Sequence, residues 1–136
     1  MSARFLLDTN IVVFALRGPT EALRSNLRDH ADHLAVSAVT VSELHYGIER
    51  SAARVDNRRA VTEFLSLVTV LPLDAEAAEH AGEIRAALAD LGQPIGGYDV
   101  LIAGHARSRG LTVVTNNRRE FDRVPGLLVA DWTLGR

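Results

Sequence analysis

Short apolar runs alternate with helical patterns along the whole chain. "RFLLD" (4–8) reads as a buried strand and "HLAVS" (33–37) as a second. "VTVLPL" (68–73), "LTVVT" (111–115) and "LLVAD" (127–131) are a third, a fourth and a possible fifth. Each run is brief and rich in Val and Leu, as expected of strands covered by helices on both faces. Between the runs the period lengthens. Ala77, Ala81, Ile84, Leu88 and Leu91 step by fours and threes, so they form one stripe of a helix, and Gly92 offers its C-cap. Val61, Phe64, Leu65 and Val68 make a shorter stripe. Further helices are expected over about 39–53 and about 98–108, the second ended by Gly110. Repeated strand–helix alternation predicts an α/β fold with a mainly parallel sheet of four to five strands and right-handed crossovers. With no internal repeat and no long linker, residues 1–136 are expected to form one domain.

Composition narrows the chemistry. Apolar residues make up 47% of the 136 residues, enough for a packed interior, and no run approaches the ~20 apolar residues of a membrane span. The N-terminal run meets Asp8 at once, which does not suit a signal peptide, and a cytoplasmic location is expected. The absence of cysteine excludes disulfides and thiolate metal sites. A net charge of −2 predicts no general attraction to nucleic acid, though it permits a local basic site. All 15 basic residues are Arg, which names no substrate by itself.

Acids fall where open parallel sheets place their sites, beyond the carboxyl ends of the strands. Asp8 ends the first strand in "FLLDTNIVVFAL", where an unpaired charge is costly to bury. Glu43 follows the second strand, and Asp99 begins the helix before the fourth, just after the irregular "GQPIGG". Asn116, Asn117 and Glu120 follow the fourth strand. Each has a structural alternative. Asp8 can cap a helix, Thr40-x-x-Glu43 and Asn117-x-x-Glu120 match capping boxes, and Asp99 can complement a helix dipole. Taken together, Asp8, Glu43 and Asp99 would converge at one sheet edge and repel one another unless a cation compensates. Oxygen donors without Cys or His suit Mg²⁺ or Mn²⁺, which activate water for phosphoryl chemistry.

"LLDTN", "SAVTVSELHYG", "IGGYDVLIAGHA" and "TNNRREFDRVPGL" come in the order and spacing of the PIN-domain ribonucleases, and most resemble the VapC toxins of bacterial toxin–antitoxin pairs. The resemblance covers nearly the whole chain. It implies an α/β/α sandwich and a Mg²⁺- or Mn²⁺-dependent endoribonuclease that cuts structured RNA, such as a tRNA or rRNA loop. It further implies a 5′-phosphate and a 3′-hydroxyl at the cut, neutralisation by a VapB-type antitoxin, and a homodimer. The family's first three acids fall on Asp8, Glu43 and Asp99. The fourth position is Asn117 here, and Glu120 matches a slightly later carboxylate. The expected metal-holding set is therefore Asp8, Glu43, Asp99, Asn117 and Glu120, with Thr9, Ser42 and Asn116 holding those side chains in place.

Other residues carry weaker signals. Arg118 and Arg119 are the leading candidates to grip RNA phosphates, ahead of His105, Arg107 and Arg109 on the preceding helix; a solvated face or salt bridge is the alternative. Tyr46 and Tyr98 can stack on a base or pack in a core or interface. His30 and His33 read as a solvated helix end, and Trp132 as packing at the C-terminal edge. Two other functions compete. A haloacid-dehalogenase-type phosphatase also opens on a strand ending in Asp, but it needs an aspartate where Asn10 stands and a lysine that the chain lacks. A non-catalytic PIN-like module that binds RNA or protein would fit the loss of an acid at Asn117.

Overall fold

All five apolar runs form strands in the computed structural model, which describes residues 2–134. In chain order the elements are β1 (Phe5–Leu7), α1 (Thr9–Arg17), α2 (Glu21–Asp29), β2 (Leu34–Ser37), α3 (Ala38–Arg50) and α4 (Arg54–Leu65). Then follow β3 (Thr69–Leu71), α5 (Ala75–Asp90), α6 (Gly97–Arg109), β4 (Thr112–Val114), α7 (Arg118–Phe121) and β5 (Leu128–Ala130). The sheet order is β3-β2-β1-β4-β5, and every neighbouring pair is parallel.

Strand periodicity divides the core in two. Leu6, Ala35 and Val113 point to one face, where Ile84 and Leu88 of α5 and Ile102, Ala103 and Ala106 of α6 cover them. Leu7, Val36 and Val114 point to the other, against Ile11 and Val12 of α1, Leu44 and Ile48 of α3 and Val61 of α4. This is the expected three-layer sandwich. Helices α5 and α6 approach so closely that a Cβ on Gly104 would lie 2.5 Å from the Ala81 backbone nitrogen. Only glycine fits that crossing.

The expectation of coverage on both faces holds for the three central strands and fails at the edges. Val70 of β3 is 43% exposed and Leu128 of β5 61%. An edge strand has a neighbour on one side only, so the flanking helices leave part of it uncovered. The helix expected over 39–53 stops at Arg50, and the one expected over 98–108 runs Gly97–Arg109. Val68 lies beyond α4 yet still packs against the core, whereas Leu91 caps α5 at 66% exposure, so only the end of the α5 stripe lies outside the core. Gly92 does follow α5 with φ +67°, and its N–H donates to Ala89 O.

His30 corrects the solvated-end reading. At the end of α2 its ring stacks on Trp132 at 4.8 Å between centroids and meets Phe5 edge-on. Trp132 packs at the C-terminal edge as expected and is buried. No helix among the described residues is long and apolar enough to cross a membrane.

Candidate active site

The chain passes from β1 to β2 and β3 on one side and returns to β4 on the other. The carboxyl ends of β1 and β4 therefore border the crevice where open α/β sheets bind ligands. Asp8 stands there. Its backbone N–H donates to Val114 O at 3.0 Å, extending the ladder one residue past the strand. Its side chain caps α1, Oδ1 accepting the Ile11 N–H at 2.8 Å, while Oδ2 accepts the Thr115 hydroxyl at 2.6 Å. Capping and membership of the acidic cluster were alternatives from sequence; one carboxylate does both. It is 1% exposed, and burial, with added repulsion from Glu43 and Asp131, raises its pKa to about 6.

Glu43 reaches the crevice from α3. Its Oε1 lies 2.5 Å from Thr9 Oγ1, which lies 3.0 Å from the buried Thr40 Oγ1. A carboxylate only accepts, so the Thr9 proton goes to Glu43 and Thr40 donates to Thr9. The capping box expected at Thr40-x-x-Glu43 is absent. Helix α3 starts earlier, with Ser37 as its N-cap, and Thr40 lies inside it.

Asp99 lies in the first turn of α6, half-buried. Burial, then the charges of Glu120, Asp8 and Glu43, raise its pKa to about 6. Glu120 behaves oppositely. Its Oε1 accepts the Gly96 N–H at 3.0 Å and its Oε2 the Asn117 Nδ2 at 2.7 Å, and these bonds hold its pKa below the usual carboxylate value. The Gly96 N–H does most to favour the ionised Glu120 and Asn117 adds to it, its amide nitrogen facing the carboxylate. The second expected capping box is absent too, since Asn117 makes no side-chain cap to α7.

The structure brings Asp8, Glu43, Asp99 and Glu120 close enough to perturb one another, with Asn117 and Thr9 in support. Ser42 and Asn116 fall outside that support. Both are exposed: Ser42 lines a cavity beside Glu43, and Asn116 an open pocket with Asn10, Phe14 and Arg17. Arg118 is paired with Asp122 one turn along α7, at 3.2 Å, while Arg119 is exposed without an ion-pair partner among the described residues. The other basic candidates are turned to structural work. His105 is fully buried with Nδ1 2.8 Å from Ser37 Oγ, Arg107 pairs with Glu83, and Arg109 lies near Asp74.

Three residues were missed from sequence. Thr115 joins Asp8 to the Asn117 backbone N–H, Thr40 backs Thr9, and Gly96 donates to Glu120. Thr115 carried a usable signal, because it ends its strand just as Asp8 does.

The donor set suits a hard divalent ion: it is all oxygen, and burial and mutual repulsion raise the pKa of two of its carboxyls to about 6, a cost that a cation would relieve. Among the described residues no three Asp, Glu or His side chains close on a common point. Magnesium keeps several waters and needs only one or two protein carboxylates, so Asp8 and Asp99 are the residues that would hold it.

An open parallel sheet with paired carboxylates at its switch point defines a class of α/β domains built for chemistry on phosphate esters. The chain belongs to the PIN-domain family, whose model matches residues 5–127. It is 46% identical over 129 residues to the tRNA(fMet)-specific endonuclease VapC of Salmonella typhimurium, covering 95% of this chain and 98% of that protein. It is 43% identical over 130 residues to ribonuclease VapC2 of Haemophilus influenzae, at 95% and 98% coverage. The solved structure of DNA-bound VapBC from Salmonella typhimurium contains a chain of the same fold, with TM-score 0.92, 46% identity and coverage of 96% and 98%.

Proposed function

We propose that this protein is an endoribonuclease toxin that hydrolyses structured RNA with Mg²⁺ or Mn²⁺ and is silenced by a VapB-type antitoxin. The observation that carries the reading is the buried Asp8, raised to about 6 beside Glu43, at the sheet's switch point. A charge placed there at such cost serves a cation and a phosphate better than it serves a helix cap alone. When bound, the metal supplies an activated water and neutralises charge on the scissile phosphate. The residues of the chain do the rest. Asp8 is locked by the sheet, α1 and Thr115, so it would meet a metal without reorganising. Thr9 and Thr40 fix Glu43, and Asn117 and Gly96 fix Glu120. Water attack at phosphorus breaks the bond to the 3′-oxygen, leaving a 3′-hydroxyl and a 5′-phosphate.

The relatives' names make tRNA the first substrate to test. The VapBC assembly supports an antitoxin partner. A groove of about 230 Å³ between α1, α3 and α4 opens on Glu43 and offers the partly buried Val13 and Leu16 to an apolar segment of that partner. A homodimer is proposed on the resemblance alone. The test incubates purified protein with total RNA in EDTA, Mg²⁺ or Mn²⁺. Cleavage by wild type and none by Asp8→Asn is expected, with ligatable 5′-phosphates at the cuts. Identical behaviour of the two proteins under both metals would overturn the reading.

A further inference from the structure

We infer that Tyr46 and Tyr98 form an aromatic clamp that takes an unpaired nucleobase of the RNA beside the scissile phosphate, a reading that rests on the ribonuclease function proposed above. The two side chains come from different helices, α3 and the start of α6, and both line one cavity of about 420 Å³ with Thr9, Ser42 and Glu43. That volume falls within the roughly 300–1,000 Å³ of small-ligand sites. Tyr46 is 69% exposed and Tyr98 59%, so neither ring packs in the core. Neither joins the aromatic contacts of the fold, which link Phe5, His30 and Trp132 among the described residues. Their phenol oxygens have no hydrogen-bond partner there either.

The charge distribution explains why such a clamp is needed. The cleft is lined by carboxylates, the net charge is −2, and a polyanion gains little from the surface as a whole. Arg24, Arg54, Arg58, Arg107, Arg109 and Arg118, six of the 15 Arg, each lie within 3.9 Å of a carboxylate, so part of the positive charge is already matched. Stacking is independent of charge and tolerates any base, because every base offers a π face. A base held between two walls must leave its own helix, so the clamp selects looped or single-stranded nucleotides over duplex. Ser42, exposed at the same cavity, is placed to meet the ribose or phosphate of that nucleotide.

The test uses the Asp8→Asn protein as a non-cleaving trap and synthetic RNA hairpins carrying 2-aminopurine at successive loop positions, in four loop sequences. Binding is read by anisotropy and stacking by quenching of 2-aminopurine. Tyr46→Ala and Tyr98→Ala are each expected to weaken binding by about 5- to 150-fold, the range of one lost base–aromatic stack, and to abolish the quenching. Tyr46→Phe and Tyr98→Phe should rescue both signals, which a role for the hydroxyl would not permit. A blunt duplex of equal length should bind weakly and respond to neither substitution. Unchanged binding in the Ala variants overturns the clamp, as does failure of the parent to bind any loop sequence. So does a loss confined to the complex with the antitoxin, which would make these rings a protein interface. Wild-type cleavage of total RNA, measured alongside, separates the cases: cleavage with inert Tyr variants defeats the clamp alone, and no cleavage defeats the ribonuclease reading.

Discussion

Replacing Asp8 by Asn should make the metal-free protein more stable while destroying its activity. The Asp8 pKa rises from 3.8 to about 6 on folding, because burial outweighs the hydrogen bonds from Thr115 and Ile11. The folded state therefore holds the proton more tightly than the unfolded state does. Stability linked to that proton is complete below pH 3.8 and is lost as pH rises through 6. At about 1.36 kcal/mol per pKa unit, the loss at pH 7.5 is about 3 kcal/mol. Asn carries no charge at any pH and can still accept the Ile11 N–H. Its amide must, however, face Thr115 Oγ1, which leaves the Thr115 hydroxyl proton without its carboxylate acceptor, so about 1 kcal/mol is returned. The net gain is about 2 kcal/mol, or a melting temperature higher by ~5–10 °C for a domain of this size. Thermal melts by circular dichroism in EDTA at pH 7.5 and pH 4.5 measure it. The gap should narrow by about 2 kcal/mol at pH 4.5, where wild type is largely protonated in the fold. Added Mg²⁺ should raise the wild-type midpoint and leave the variant nearly unmoved. A variant that melts at or below wild type at pH 7.5 in EDTA, or a gap independent of pH, would refute the assigned cost of burying Asp8.

Three further outcomes are expected. Thr115→Val removes the hydroxyl that accompanies the Asp8 charge, so the Asp8 carboxyl should titrate at still higher pH, which carbon-13 NMR of the metal-free protein can follow. Asn117→Ala should raise the Glu120 pKa and slow RNA cleavage by roughly ten- to a hundredfold, the usual effect of losing a ligand's supporting partner, with the melting temperature little changed. Gly104→Ala should cost about 1–3 kcal/mol or more in urea unfolding, since its methyl would collide with the Ala81 backbone, while site titrations stay as in wild type.

The parallel architecture was legible because central strands such as Leu34–Ser37 are buried on both faces and so read as unbroken apolar runs. The acids were legible because Asp8 and Asp99 stand at the ends of such elements. Helix α2 escapes the apolar-run reading because it buries only Leu23 and its other positions are largely polar, although Thr20 caps it and Leu23 and Leu27 fall one turn apart. The site's supports were hidden for a different reason. Thr40 and Thr115 act through contacts 31 and 107 residues away in the chain, and no local pattern encodes a partner at that distance. The same blindness produced the two false capping boxes. A Thr or Asn three residues before Glu has the right spacing for a cap, but the spacing does not say where the helix begins. Arg118 looked like a phosphate ligand because it lies near the site, and its own helix supplies the carboxylate that occupies it.

The hydrogen bond between Ser37 and His105 is a pivot pin. Ser37 opens the helix that carries Glu43, and His105 lies in the helix that carries Asp99, with the same number of residues between pin and acid on each arm. Two rigid levers of about 9 Å thus meet at one buried joint. At that radius a rotation of about five degrees moves the far end of an arm by about 0.8 Å. The two arms are thus tied together at a buried hydrogen bond nearly two helical turns from the acids they carry.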